Sequence, residues 1–248
     1  MNRVILSAST DETILAVTRQ HKLVDLEIEQ QINTEIVGCI YKGVVKNIVP
    51  AVDGIFVDIG IGKNAFLRRK DLLNEKRFPT EGSPILAQVI KSDTDMKGAL
   101  ITEKISMFGK YAVTLSGTGY IGVSKKIRQE SVRKRLKEIG KEICAEHMGL
   151  IIRTAAENAD MDEFRKDITR LKENWDIIQK RFRMEKSPTL LYRESDIIVK
   201  ALRDYVNKGT EILITDNRKI YERICKLMRA SIRLSPTRYH FIKKGCRF

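Results

Sequence analysis

The chain has 248 residues, 42% of them hydrophobic, with a formal net charge of +14 and a sequence pI near 9.6. That length allows one large domain or two to three small ones, each with its own core. The positive charge is spread along the chain, which favours nucleic acid or an anionic surface as partner. No apolar run approaches the roughly 20 residues that span a bilayer. Met1-Asn2-Arg3 before VILSAS is too short and wrongly flanked for a secretory signal. Cys39, Cys144, Cys225 and Cys246 lie far apart without a CxxC, and His21, His147 and His240 are equally scattered. No metal site follows from these spacings, and unpaired thiols fit a reducing compartment, so the cytoplasm is expected.

In chain order, residues 1–35 read as three short strands: Arg3 to Ala8, Glu12 to Val17 and Leu23 to Ile28. Three strands without a helix cannot close a core, so they are expected to join a sheet completed elsewhere. Val44, Ile48 and Val52, then Ile55, Val57 and Ile59, mark two strands, with Asp53-Gly54 read as the tight turn between them. Ile61 to Asn64 form a second turn, and Ala65-Phe66-Leu67 start a third strand. Ile85 to Lys91 and Gly98 to Thr102 supply the last two. About five short strands in about 70 residues fit a small antiparallel barrel of the oligonucleotide-binding type.

Phe56 falls out of phase with Val57 and Ile59, so on a half-buried strand its ring faces outward. Tyr41, Phe66, Lys42, Lys46, Arg68, Arg69 and Lys70 lie nearby in sequence. Outward rings beside cations form a stacking platform for bases next to a groove for phosphates. The alternative is that Phe56 and Phe66 are barrel core.

Phe108 to Ile127 read as strand, Ser-Gly-Thr-Gly turn, strand. Residues 128–147 carry Val132, Leu136, Ile139 and Ile143 at amphipathic helical spacing. Arg133, Lys134, Arg135, Lys137 and Lys141 fall on its solvated face. His147-Met148-Gly149 should break this helix, and Gly149 to Thr154 form a strand. Asp160 then caps a helix whose stripe of Phe164, Ile168, Leu171, Trp175, Ile178 and Phe182 is core. Thr189 to Tyr192 and Glu211 to Thr215 are strands. Asp196 to Val206 and Asn217 to Ser231 are helices. The alternation is an α/β signature.

The pattern GxVxxIxPxxxGxFVDIGxGxxxFL followed by KGALIT resembles an S1 RNA-binding domain, and the frame IYKGVVKNIVP resembles that of the ribonuclease E/G family. The resemblance implies an α+β, multi-subdomain chain. An OB-fold (S1) β-barrel over 36–106 would be inserted in a split RNase H-like α/β subdomain, formed by 1–35 and 199–248. An α/β 5′-sensor subdomain would occupy 107–198. It also implies a bacterial endoribonuclease that acts on single-stranded RNA, senses a 5′-monophosphate, and serves RNA processing and decay.

The same resemblance assigns Phe56, Phe66 and Lys97 to holding single-stranded RNA. It assigns Gly109, Val113, Lys125, Lys126, Arg153 and Thr154 to the 5′-phosphate pocket. Arg153-Thr154 also stands out by itself: a guanidinium fork bonds phosphate oxygens bidentately and the hydroxyl adds one bond. A plain strand-end surface arginine is the alternative. Lys125-Lys126 keep the family's charge without its planar fork, and AAENAD follows where the family has glycine.

The family hydrolyses RNA with Mg2+ held by two aspartates in motifs resembling AIDVNS and VIDFID, and neither occurs here. The CPxC zinc-link motif is also absent. No catalytic or metal residue is therefore expected between Met1 and Phe248, and this stretch is expected to be inactive alone. It would be an N-terminal fragment of a longer enzyme rather than a shortened relative. Single-stranded RNA is the expected partner. A homo-oligomer is compatible, and neither a membrane nor a small-molecule substrate is expected. The rival readings are a non-catalytic S1-type RNA-binding adaptor and a translation-associated S1 protein that ignores RNA ends.

Overall fold

Strict alternation of burial builds the first sheet. In the computed structural model, which describes residues 2–9, 12–30, 36–76, 78–94, 96–144, 148–193, 196–206, 212–230 and 238–241, strand β1 (Asn2–Ala8) pairs antiparallel with β2 (Glu12–Arg19) and β2 with β3 (Lys22–Gln30). Val4, Leu6, Leu15 and Val17 turn to one side and are buried.

The barrel begins with β4 (Ile40–Val49). It is followed by β5 (Gly54–Asp58), β6 (Ala65–Arg68), β7 (Pro84–Lys91) and β8 (Leu100–Thr102). The order runs β4, β5, β6, β8, β7, and a further β4–β7 pairing closes it. Four of the five seams are antiparallel, but β6 and β8 run parallel, so the barrel is not wholly antiparallel as expected. Val45, Ile55, Val57, Leu67, Val89 and Ile101 fill the interior.

The β4–β5 turn also differs from expectation. Pro50–Val52 make a 3-10 turn, and Asp53, not Gly54, takes the left-handed conformation at φ 49°. Asp tolerates that region because its short polar side chain bonds locally. Here its carboxylate accepts from Arg69 Nε at 2.5 Å. Val52 therefore leaves the strand and is exposed. Gly54 is glycine for another reason: a Cβ there would stand 2.3 Å from the Phe66 ring.

Next come β9 (Ser106–Phe108), β10 (Ala112–Ser116), β11 (Ile121–Val123), α1 (Glu130–Ile143) and β12 (Met148–Ile152). The strands form a sheet of order β11, β12, β10, β9. The two strands flanking Ser-Gly-Thr-Gly do not pair with each other, because β12 lies between them. Periodicity shows which face of a strand is buried but not which strand it pairs with. Helix α1 is shorter than expected at both ends, and residues 145–147 lie outside the described ones. Met148 and Gly149 already belong to β12 instead of breaking the helix.

Helix α2 (Met161–Met184) starts at Asp160, whose side chain accepts from the Asp162 and Glu163 amides. That caps the orphan donors of the first turn. Phe164, Ile168, Leu171 and Ile178 are buried against the sheet, with Trp175 and Phe182 partly buried beside them. Strand β13 (Thr189–Tyr192) then adds to the outside of β4, where Leu190 stands opposite Tyr41.

The chain closes with α3 (Ile197–Asp204), β14 (Ile212–Thr215), α4 (Arg218–Ala230) and β15 (Arg238–Phe241). Strands β14 and β15 extend the first sheet to the order β15, β14, β1, β2, β3, with β1–β14 and β14–β15 parallel. Strand β15 is not marked by any pattern in the sequence. Ile197, Ile198, Ala201, Ile220 and Ile224 pack with the β1 and β2 residues in one core. Two compact units result, residues 1–35 with 195–248, and residues 36–194. Ser231, expected to end the last helix, lies outside the described residues.

Candidate nucleic-acid interface

On the barrel, Ile55 and Val57 point inward and are fully buried, so Gly54, Phe56 and Asp58 share the outer face. On β6 the same alternation buries Ala65 and Leu67 and turns Phe66 and Arg68 outward. Phe56 and Phe66 are register partners. Their ring centroids lie 5.4 Å apart at 51°, both half-buried on the outside of the wall. The missing side chain of Gly54 leaves room for the Phe66 ring to lie across β5. Asn47 stands opposite Phe56 on β4 and is exposed, a polar neighbour that strand pairing alone reveals.

The cations sort into two groups. Lys46 is exposed and lies 3.4 Å from Asp58. Lys97 is exposed at a short turn whose ends are tied by the Thr94 amide donating to the Lys97 carbonyl at 2.8 Å. Lys70 is exposed as well. The rest are not groove cations. Arg68 pairs with Asp71 at 2.5 Å. Arg69 pairs with Asp53 and lies over the Phe78 ring, 4.0 Å from its centroid. Lys42 is only 9% exposed and donates to the Phe182 and Glu185 carbonyls at 2.7 and 2.6 Å. There it meets the negative end of α2. Tyr41 is buried, and burial raises its phenol pKa.

The second cluster gathers at the tips of β10, β11 and β12. Arg153 follows β12, half-buried, and its Nη1 donates to the Gly109 carbonyl at 2.8 Å. Its amide donates to the Tyr111 carbonyl. Thr154 Oγ1 lies 2.9 Å from Ser124 Oγ. Lys125 and Lys126 follow Ser124 and are exposed. Val113 sits one strand over from Ile151. Gly109, Val113, Lys125, Lys126, Arg153 and Thr154 thus come to one edge of one sheet. Phe56, Phe66 and Lys97 belong to the barrel.

Three supporting residues were not expected. Ser124 supplies a second hydroxyl beside Thr154. Arg133, expected on the solvated helix face, donates from Nη1 to the Ser124 and Ile127 carbonyls at 2.7 and 3.0 Å. It thereby fixes the turn that carries Lys125 and Lys126. Asp167 is buried on α2 and accepts from the Tyr111 amide at 2.8 Å. A Cβ on Gly109 would stand 2.4 Å from that carboxylate, so only glycine fits. The one sequence signal was an acidic residue beside Ile168 inside an apolar stripe. Tyr111 donates to Glu163 at 2.7 Å, and its pKa is raised, first by burial and then by that bond.

The structure thus offers two clusters: a pair of outward rings on a closed barrel, and an arginine, two lysines and two hydroxyls at the strand tips of the following sheet. Residues 35–102 match the S1 RNA binding domain, and residues 106–244 match the Ribonuclease E/G family. Ribonuclease G of Escherichia coli (strain K12) is 32% identical over 236 residues, 88% of this chain and 48% of that protein. Ribonuclease G of Haemophilus influenzae is 32% identical over 232 residues, 87% of this chain and 47% of its own length. Ribonuclease E of Buchnera aphidicola subsp. Schizaphis graminum is 31% identical over 239 residues, 90% of this chain and 25% of that protein. The chain belongs to the ribonuclease E/G family. It spans about half the length of the ribonuclease G relatives it matches.

Among the described residues, no group of three His, Cys, Asp or Glu side chains could hold a metal ion. No helix among them is long and apolar enough to cross a membrane.

Proposed function

We propose that this chain is the RNA-gripping part of an endoribonuclease that works on single-stranded RNA in the cytoplasm and senses a 5′-monophosphate. The observation that carries this reading is the Phe56–Phe66 pair, two outward rings in register on a barrel whose stretch matches an S1 RNA binding domain. A base stacked on such a ring gains about 1–3 kcal/mol without regard to sequence. Lys46 and Lys97 supply positive charge for the backbone. At the other site, Arg153 and the Thr154 and Ser124 hydroxyls offer donors to a terminal phosphate, with Lys125 and Lys126 adding charge. Phosphodiester hydrolysis with Mg2+ would fall to carboxylates that this stretch does not include, so the chain alone binds without cutting. We read the two segments that share the β15–β14–β1–β2–β3 sheet as one RNase H-like subdomain, residues 36–106 as the S1 domain and residues 107–198 as the 5′ sensor.

The test is a pair of titrations with one single-stranded oligonucleotide, bearing either a 5′-phosphate or a 5′-hydroxyl. The wild type should favour the phosphate, and Arg153→Ala should lose that preference while still binding long RNA. Equal affinity of the wild type for both ends would remove the sensor role. Equal weakening of both by Arg153→Ala would make Arg153 a groove residue.

A further inference from the structure

Between Lys125 and Lys141 the chain carries eight lysines and arginines against two glutamates, and helix α1 sorts them. Leu136 and Ile139 are buried against the sheet, with Val132 and Ile143 packed beside them. Lys134, Lys137 and Lys141 recur at spacings of three and four, so they form one stripe on the side turned away from that core. All three are exposed. Lys125, Lys126 and Arg128 are exposed on the turn that leads into the helix. The Arg133 bonds to the Ser124 and Ile127 carbonyls hold that turn against the start of α1, so the stripe continues onto it.

Neighbouring carboxylates do not cancel this charge. Glu130 pairs with Arg133 at 3.7 Å and Glu142 with Arg165 at 2.9 Å, which leaves Glu138 on the flank. Among the described residues, none of Lys125, Lys126, Arg128, Lys134, Lys137 and Lys141 stands in an ion pair. A solvated helix face ordinarily mixes the two signs. Like charges four apart, as at Lys137 and Lys141, cost a helix stability, and a bound polyanion removes that cost. The stripe also has charge without rings, since residues 128–143 include no Phe, Tyr, Trp or His. A single strand draws affinity from stacking on rings as well as from its phosphates. A duplex keeps its bases stacked inside and offers phosphates and hydroxyls. From Lys134 to Lys141 the helix rises about 10 Å, the length of about three phosphates along one strand of a duplex.

We propose that the stripe on α1 is a binding site for double-stranded RNA, the stem of a folded transcript held by its phosphates. Lys134, Lys137 and Lys141 carry the contact, and Arg128 extends it toward the turn. This site is separate from the Phe56–Phe66 rings and does not depend on end sensing. Lys125 and Lys126 lie within reach of both the stem and the Arg153 site, so the test leaves them in place.

The test uses the full chain, a blunt RNA hairpin with a 5′-hydroxyl, and an unstructured 5′-hydroxyl strand of the same length, titrated over a series of salt concentrations. The triple variant Lys134→Gln, Lys137→Gln, Lys141→Gln should weaken hairpin binding by about 10-fold or more and lower its log–log salt slope by about 2 to 3, close to one for each lost phosphate contact. Its affinity for the unstructured strand should stay within about 2-fold of wild type, which also shows that the variant is folded. A second triple variant, Lys22→Gln, Lys180→Gln, Lys219→Gln, removes equal charge from exposed lysines on other elements and should keep hairpin binding. Phe56→Ala should keep it too. Hairpin affinity and slope unchanged in the α1 variant would leave the stripe to solvent or to an acidic protein, and would overturn the proposal. Equal loss in the second variant would reduce the effect to net charge, and equal loss for both RNAs would put the stripe on the single-strand path; either result overturns it as well.

Discussion

Gly54→Ala moves an aromatic ring without removing one. The new methyl would sit 2.3 Å from Phe66 Cε2 and Cζ, closer than atoms can approach. The backbone at 54 is ordinary extended strand, so the change adds no conformational strain. Phe66 is half-buried on the outer wall, so its ring can swing toward solvent while Leu67 and Ala65 keep the core intact. What is lost is the 5.4 Å register with Phe56. If each ring holds one base, deleting one costs about 1–3 kcal/mol, or about 5- to 150-fold in Kd. Phe56→Ala and Phe66→Ala should each fall in that range, and Gly54→Ala between wild type and Phe66→Ala. The rings touch, so the double deletion should cost less than the sum of the single ones. Fluorescence anisotropy with a labelled single-stranded oligonucleotide at fixed salt gives the Kd values, and thermal melting reports the fold. Unchanged affinity in both phenylalanine deletions, with melting preserved, would refute the stacking platform.

Binding should weaken linearly in log–log form with salt, and Lys97→Ala should lower the slope by about 0.7, the single-strand value for one phosphate contact; an unchanged slope would take Lys97 off the RNA path. Arg133→Met deletes the bonds to the Ser124 and Ile127 carbonyls. It should cost about 1–3 kcal/mol of stability and reduce the preference for a 5′-phosphate without weakening 5′-hydroxyl RNA; a retained preference would show that the turn needs no such brace. Burial raises the Glu103 pKa above its ordinary 4.5, against a lowering bond from the Leu73 amide. A raised carboxyl pKa gives stability that is present below the ordinary value and lost as pH rises through the shifted one. Glu103→Gln should therefore gain on wild type in melting temperature as pH rises above the ordinary value of 4.5; a difference that is flat or falls with pH would refute the assignment.

Alternation of apolar residues along the chain is enough to assign most buried and exposed faces. It turns Phe56 outward, buries Val57, and picks out the α2 stripe down to Ile178. These outcomes depend only on neighbours within one element. What alternation lacks is the partner strand. Nothing local to Ser-Gly-Thr-Gly says that β12 will lie between β10 and β11, or that β6 and β8 will run parallel. The same gap governs the cations. Lys42, Arg68 and Arg69 look alike along the chain, yet each is spent on a carbonyl or carboxylate brought close by folding. Asp53-Gly54 resembles a turn signal, but the glycine answers to a ring twelve residues away. Local chemistry names Arg153 and Thr154 as a candidate pair; Ser124, Arg133 and Asp167, which shape their surroundings, become visible only with the sheet assembled.

Lys42 bears on how the two candidate sites act together. It lies on β4 of the barrel, and its ammonium caps the carbonyl end of α2, while its stem carries the charge over the Phe182 ring at 5.0 Å. Strand β13, which follows α2, pairs with the same stretch of β4. Arg181 adds a bond to the Leu190 carbonyl at 3.1 Å and a 2.5 Å pair with Glu185, closing the α2–β13 turn. A buried ammonium is tolerated only where its donors are satisfied, and both Lys42 bonds are lost if α2 shifts along the barrel. The barrel and the end-site sheet are thus joined by packed, hydrogen-bonded elements within one compact unit, not by a flexible tether. A strand held on both sites would meet them at a separation set by that packing. Their affinities would then combine through geometry, and loosening the joint would weaken two-site binding while sparing each site alone.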